Sequence, residues 1–495
     1  MNTEKSADMG LFWGCWIALI ATSFGFVIRG LTAGEWGAEF GLTETQIGEI
    51  LGAGLWPFAI SIILFSLVID RIGYKIAMLF GLACHVVATL LILNADSYGQ
   101  MYVGTFIFAL GCGTVEAYIN PVVATMFSDQ KVKKLNVLHA GWPAGLVLGG
   151  LIAIGLGDVH WKTKVALIFL PTIVYAVMLI NKQFPVNERV AAGVSYREML
   201  SEMGAVGALI ALSLIVMEVG RLFAWSLPLM IGLIAVGTLA YAAYSRSIGQ
   251  PLFILMLLIM MPLATTELGV DGWITSLMSA SMEEIGAAAG WVLVYTSAIM
   301  AILRFYFAGK LIDLLSPFGL LAVSSVIAAA GLFALAGAQG AVMILLAATV
   351  YGVGKSFFWP TTLGIVAEQF PRGGALTLNS VAGVGMLAVG IVGSAFLGNI
   401  QDRAVSDQLE DAHPEVYEKY VTRDERSVFG SYRALDNEAA DAATENQKEV
   451  IAAVQKEAPK SALTTAAWLP VGMLVCYLLL IAYFKSRGGY KAEVL

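Results

Sequence analysis

Apolar stretches of spanning length recur along almost the whole chain, and charges gather in the short segments between them. A helix that crosses a bilayer needs about 20 predominantly apolar residues. By that rule the first half is predicted to span near 10–31, 46–69, 75–94, 100–127, 135–157 and 162–184. Two more spans are predicted near 204–223 and 225–245, then six near 251–280, 287–312, 317–337, 340–368, 376–399 and 463–484. Basic residues fall in alternate connections: Arg71 and Lys75, then Lys131, Lys133 and Lys134, then Lys182, Arg189 and Arg197. Arg246, Lys310, Arg372 and the tail residues Lys485, Arg487 and Lys491 continue the alternation. The opposite connections hold Glu35, Glu39, Glu44, Asp96, Glu283 and Glu284, with Lys162, Lys164 and Arg221 against the trend. Positive charge marks cytoplasmic loops, so both termini are expected to be cytoplasmic. The first apolar run has no short core followed by a small-residue cleavage site, and is expected to remain in the mature protein.

Composition agrees with this pattern. Of 495 residues, 58% are hydrophobic and 13% charged, against about 25% charge in a soluble domain. The mean hydropathy is +0.78. The pattern therefore predicts an all-α polytopic membrane protein and excludes a disordered chain or a disulfide scaffold. The formal net charge is −7, and the segment 401–462 alone carries fourteen acids and eight bases. That segment is expected to be an acidic extracytoplasmic loop, with a short surface helix from Ala439 to Val454. Cys15, Cys84, Cys112 and Cys476 all lie in apolar spans, so neither a disulfide framework nor a zinc cluster is indicated.

Duplication shows in the punctuation of the spans. Glu116-x-x-x-Asn120-Pro121 parallels Lys355-x-x-x-Trp359-Pro360 at an offset of 239, and Leu135-Asn136 parallels Leu378-Asn379 at 243. Asp70 matches Asp313 at 243, and Arg29-Gly30 matches Asp271-Gly272 at 242. Transporters are often built from such repeats. Two six-helix bundles related by a repeat follow, with an extra helix hairpin between them. The expected organisation is an N-terminal six-helix bundle (1–184), a cytoplasmic linker with two extra spans (185–246), and five helices of the second bundle (247–400). The acidic loop (401–462) and the last span with its cytoplasmic tail (463–495) complete it.

Charge inside a membrane costs several kcal/mol, on the order of 3, and is a functional candidate by default. Arg29, Glu116, Glu267, Asp271 and Lys355 are the clearest cases, whereas Glu49 and Arg304 read as closer to helix ends. Buried ion pairs stabilise poorly once desolvation is counted, so a polar central pathway explains these charges better than static pairing. Opposite signs at repeat-related positions suggest that Arg29 meets Asp271 near one mouth and Glu116 meets Lys355 at mid-depth. Trp273 and Trp359 follow these charges closely, and Trp56 and Trp142 lie on neighbouring spans. Flat amphipathic rings suit the C–H faces of a sugar. His85 and His139 read as packing histidines. Gly354-Lys355-Ser356 imitates the end of a phosphate-binding loop, but Thr349 replaces its first glycine and the triplet lies in an apolar span. Such a loop needs a strand, a glycine turn and water, so an ATPase is excluded. No metal-ligand cluster or nucleophile–base arrangement is apparent.

The segment Ser66-Leu67-Val68-Ile69-Asp70-Arg71-Ile72-Gly73-Tyr74-Lys75 resembles the G-x-x-x-D-R-x-G-R-K loop of the major facilitator superfamily, with Ser66 and Tyr74 departing from it. Gly309-Lys310-Leu311-Ile312-Asp313 is similar to its weaker second copy. Gly113-Thr114-Val115-Glu116-Ala117-Tyr118-Ile119-Asn120-Pro121, followed by Leu135-Asn136, resembles the fucose/galactose/hexose:proton symporter group. The resemblance implies a sugar-binding or proton-coupling role for Glu116, while Arg29-Gly30 stands where that group has an acid.

The expected function is secondary active transport by alternating access: uptake of a sugar or sugar derivative with a proton. Glu116, Lys355, Trp359, Trp273 and Asn120 are the expected substrate or coupling residues, and Arg29, Asp271, Asp70 and Arg71 the gating residues. Glu267, Asn136, Trp142 and Asn379 are further candidates. No cofactor, metal, nucleic acid or enzymatic activity is expected. The expected partners are a small-molecule substrate and the lipid bilayer, around a monomer in a bacterial inner membrane. The alternatives are an organic anion or sugar acid as substrate, held by Lys355 or Arg29, and a non-transporting receptor on the same scaffold.

Overall fold

The computed structural model describes residues 8–495 except 43, 273, 275–277, 279–281, 284–285, 287–289 and 428–429. Among the described residues are fourteen helices long and apolar enough to cross a membrane. In chain order they are α1 (Met9–Phe40), α2 (Gln46–Ile72), α3 (Tyr74–Leu93), α4 (Tyr98–Met126), α5 (Ser128–Gly155) and α6 (Trp161–Leu179). The extra hairpin is α7 (Tyr196–Leu222) and α8 (Leu227–Ser245). The second bundle is α9 (Pro251–Gly272), α10 (Gly290–Leu315), α11 (Pro317–Ala336), α12 (Gly340–Gln369), α13 (Pro371–Ile391) and α14 (Glu445–Ser486). The protein is therefore an integral, multi-pass membrane protein with two six-helix bundles and an inserted hairpin.

Small residues bring the backbones together, as is usual where lipid supplies no hydrophobic drive between helices. A Cβ added at Gly145 of α5 would lie 2.7 Å from the Ile20 carbonyl of α1, and one at Gly113 of α4 would lie 2.1 Å from the Phe58 carbonyl of α2. Gly331 of α11 and Gly354 of α12 meet reciprocally: their added Cβ atoms would fall 2.4 Å from Tyr351 N and 2.2 Å from Ala328 N. Between the bundles, α2 packs on α13, and α5 packs on both α10 and α12. The hairpin joins through α7, which lies on α13 and α9. Along the apolar window of α8 no residue is buried, so this helix presents Leu229, Val236 and Leu239 outward.

Two repeat-related asparagines tie the bundles reciprocally. Asn136 of α5 donates to Thr361 Oγ1 of α12 at 3.2 Å, and Asn379 of α13 donates to the Ala117 carbonyl of α4 at 2.9 Å. At the end bearing the lysine- and arginine-rich connections, here called the basic end, the bundles are closed on each other. Lys131 bonds Glu188 at 2.6 Å and the Ala367 carbonyl at 3.3 Å, and Lys133 pairs with Asp313 at 2.5 Å.

The segment after α13 departs from a plain loop. The helix Ser394–Ala412 continues from α13, a two-stranded hairpin pairs Arg423–Ser427 with Gly430–Ala434, and the helix Glu445–Ala466 leads directly into Trp468–Ser486. Val405, Leu409, Val416, Tyr420, Ile451 and Val454 form a small apolar core of their own. The expected surface helix from Ala439 to Val454 is instead two: Asn437–Asp441 and the long helix from Glu445.

Candidate functional site

Glu116 and Asn120 stand one turn apart on α4, a spacing that places them on one face. Asn120 Nδ2 donates to Glu116 Oε2 at 2.7 Å, and Asn120 Oδ1 accepts from His139 Nε2 of α5 at 2.9 Å. This orientation requires the proton of the imidazole on Nε2. Glu116 is 3% exposed. Among the described residues no lysine or arginine nitrogen lies within 4.0 Å of its oxygens; besides the Asn120 amide, His139 Nε2 approaches to 4.0 Å.

A second carboxylate faces it from the other bundle. Glu267 sits in a π-helical turn of α9, Thr265–Gly269, five residues after Pro262, and Arg304 sits in a π-helical turn of α10, Leu303–Phe307. Such turns re-aim side chains and recur at functional sites. Arg304 donates to Glu267 Oε1 at 2.6 Å, to the Ser356 carbonyl at 2.5 Å and to the His139 carbonyl at 3.1 Å. The last bond crosses between bundles. Glu267 Oε2 accepts from the Trp359 backbone N–H at 3.1 Å. A small cavity lies between the two carboxylates, lined by Phe58, Glu116, His139, Trp142, Glu267, Leu268, Arg304, Trp359 and Met386. Both bundles contribute to its lining.

Other expected residues are placed elsewhere. Lys355 is fully buried and pairs with Asp271, with Thr296 Oγ1 at 3.3 Å and the Tyr351 ring at 4.9 Å. Both partners belong to the second bundle, so in this conformation Lys355 does not meet Glu116, nor Asp271 meet Arg29. Arg29 lies instead within the first bundle, 4.7 Å over the Phe108 ring and bonded through Nε to the Gly25 carbonyl at 3.1 Å. Among the described residues no carboxylate lies within the same ion-pair distance of it. Trp273 lies outside the described residues. Trp56 packs edge-on against Phe106 rather than on the cavity.

The motif at the basic end explains itself physically. Asp70 accepts from Arg189 Nε and a terminal nitrogen at 3.1 and 2.6 Å, and Arg71 lies 4.3 Å over the Tyr196 ring. Lys75 reaches the last carbonyls after α6, including those of Ile180 and Lys182, where a cation complements the helix terminus. Tyr74, in place of an arginine, accepts from Asn187 Nδ2 at 2.7 Å.

Arg304 and His139 are the residues that sequence reasoning undervalued. Arg304 is 1% exposed and central to the cavity, not near a helix end, because α10 extends to Leu315. His139 links Asn120 to the cavity, while His85 is a packing residue, stacked 4.8 Å from Phe108 and bonded to Tyr175 at 3.0 Å.

A two-bundle membrane protein with a cavity bearing buried charged side chains at the interface of its halves has the architecture of a transporter. The family model of the Major Facilitator Superfamily matches residues 15–394, and the chain belongs to that superfamily. Among solved structures it is similar to the human organic anion transporter MFSD10, with a TM-score of 0.63 at 11% identity, covering 96% of this chain and 100% of that one. It is also similar to the E. coli fucose:proton symporter, with a TM-score of 0.58 at 15% identity, covering 96% and 99%. The proton:xylose symporter XylE gives a TM-score of 0.62 at 12% identity, covering 97% and 96%. At these identities the likenesses concern the fold.

Proposed function

We propose that the protein is a secondary active transporter that takes up a sugar or sugar derivative with a proton, by alternating access of the central cavity. The observation that carries this reading is the charge balance around the cavity. Two buried carboxylates, Glu116 and Glu267, and the half-buried Asp271 stand beside two cations, and Arg304 and Lys355 are taken by Glu267 and Asp271. Glu116 is the one that can gain or lose a proton without breaking an ion pair, and it borders the cavity. A carboxylate left buried and charged is costly, so loading a proton or a hydroxyl-bearing substrate there is favourable. Trp142 and Trp359 supply flat faces for a sugar ring, with Asn120, His139 and Arg304 as polar neighbours. Arg29, Asp70 and Arg71 serve as gating elements, and the Lys355–Asp271 pair holds α12 to α9. The basic end is cytoplasmic and, in this conformation, closed; the 401–462 segment is extracytoplasmic. The working unit is a monomer in a bacterial inner membrane.

The deciding experiment is uptake in proteoliposomes with an imposed proton gradient. Glu116→Gln is expected to abolish uphill uptake while retaining substrate exchange at equal concentrations. Accumulation against a gradient by that variant would remove Glu116 from the coupling role. A second reading, an organic anion as substrate, is favoured by Arg29, a buried guanidinium with no carboxylate partner among the described residues. Competition of uptake by neutral against acidic sugars separates the two, and absence of any substrate-dependent flux would point to a receptor.

A further inference from the structure

The chain after α14 does not trail away from the bundle. Gly488 and Gly489 take φ values of +89° and +100°, which side chains with a Cβ rarely adopt, and Gly489 N closes back on the Phe484 carbonyl at 2.9 Å. This reversal carries residues 490–493 beneath α12. The Tyr490 ring lies 5.3 Å from Phe484 and 5.7 Å from Phe318 of α11. Its hydroxyl donates to Glu368 Oε2 at 2.8 Å. Two hydrogen bonds to its own backbone then fix the strap along the end of α12: the Gln369 side-chain Nε2 donates to the Lys491 carbonyl at 2.7 Å, and Glu493 N to the Glu368 carbonyl at 2.9 Å. Burial and the adjoining Glu368 carboxylate hold the Tyr490 phenol protonated, well above its usual range, so it remains a donor.

The other oxygen of Glu368 faces the opposite bundle. Glu368 Oε1 accepts from the backbone N–H of Val132 at 3.4 Å. Val132 is in the first turn of the helix Lys131–His139, which has no capping side chain of its own. The first N–H groups of a helix lack intrahelical partners and attract negative charge. Glu368 thus supplies, from the second bundle, the cap missing from a helix of the first. The approach is close: a Cβ added at Gly364 would fall 2.5 Å from Val132 Cα. Opening the basic end must pull Val132 away from Glu368.

We infer that residues 488–493 form a strap whose Tyr490 positions the Glu368 carboxylate as an inter-bundle latch, holding the basic end closed. The inference rests on the alternating-access reading but needs no knowledge of substrate. Tyr490 is a positioning residue that acts through Glu368.

The test uses the full chain lacking its four native cysteines, with spin labels at Asp129→Cys and Arg372→Cys, both exposed and on opposite bundles at the basic end. Pulsed dipolar spectroscopy then reads the inter-bundle distance distribution. Tyr490→Phe keeps the ring stack and removes only the hydroxyl. The expected result is a rise of about fivefold in the ratio of long to short distances, the size of one net hydrogen bond, with an unchanged thermal unfolding midpoint. In a Glu368→Ala background, where the ratio is already raised, Tyr490→Phe should add nothing. Unchanged distances in Tyr490→Phe would overturn the inference, as would an equal effect with and without Glu368. Failure of proton-driven uptake by the parent protein, measured separately, would sink the transport reading and leave these distances interpretable.

Discussion

Arg304 is held by one carboxylate and two backbone carbonyls in a site with almost no water access. Removing one member of such a pair leaves the other charge buried and uncompensated, which costs about 3–5 kcal/mol. Arg304→Met is therefore expected to lower the unfolding midpoint strongly, and Glu267→Gln to do so less, since Gln still accepts from Trp359 N. The double variant should be more stable than the sum of the single effects implies, and additivity in this thermal cycle would deny the coupling. Of the individual residues, Glu116, Asn120, Glu267, Trp142 and Trp359 could be read from the sequence as intramembrane polar or aromatic outliers, and the structure gathers all but Asn120 around one cavity, with Asn120 bonded to Glu116. Their partners could not. Lys355 and Asp271 sit at positions whose repeat mates are Glu116 and Arg29, and sign alone cannot tell a pair across bundles from a pair within one. Arg304 escaped because its importance depends on a π turn, and hydropathy carries no trace of helical pitch.

The helices themselves followed from apolar run length, and all fourteen appear near their expected positions. Their crossings depend on finer detail. Gly354 and Gly331 allow α11 and α12 to touch backbone to backbone, and an added methyl must force the helices apart, at about 1–3 kcal/mol. Gly354→Ala is expected to lower the unfolding midpoint in detergent. Gly232 of α8 has open space around its Cβ position, and Gly232→Ala should be neutral or stabilising by about 0.5–1 kcal/mol. Equal effects at the two glycines would mean that the α11–α12 crossing is not set by backbone contact. The 401–462 segment was the element least legible: its charge marked it as water-exposed, but its small core draws on scattered Val, Leu, Tyr and Ile residues without a sustained period.

At the scale of the whole molecule, sidedness is the property that every functional statement depends on. In the same cysteine-free background, Ser431→Cys, exposed on the hairpin strand Gly430–Ala434, should react with an impermeant maleimide on intact cells. Asp129→Cys should react only after the cells are opened. The reverse pattern would invert the orientation of both bundles.

The folded segment between α13 and α14 is mounted on rigid stems: the helix Ser394–Ala412 prolongs α13, and the 22-residue helix Glu445–Ala466 prolongs the last span. At 1.5 Å per residue the part of the longer stem before residue 463 reaches about 27 Å beyond the apolar span. Both stems root in the second bundle, so under the proposed alternating access the segment would be a pointer attached to one of two rocking halves. A tilt of about 10° at the root would swing its tip by about 5 Å over that length. A binder raised against the hairpin would therefore serve as an optical needle for transport, registering each half-cycle as a displacement large enough for single-molecule fluorescence to follow.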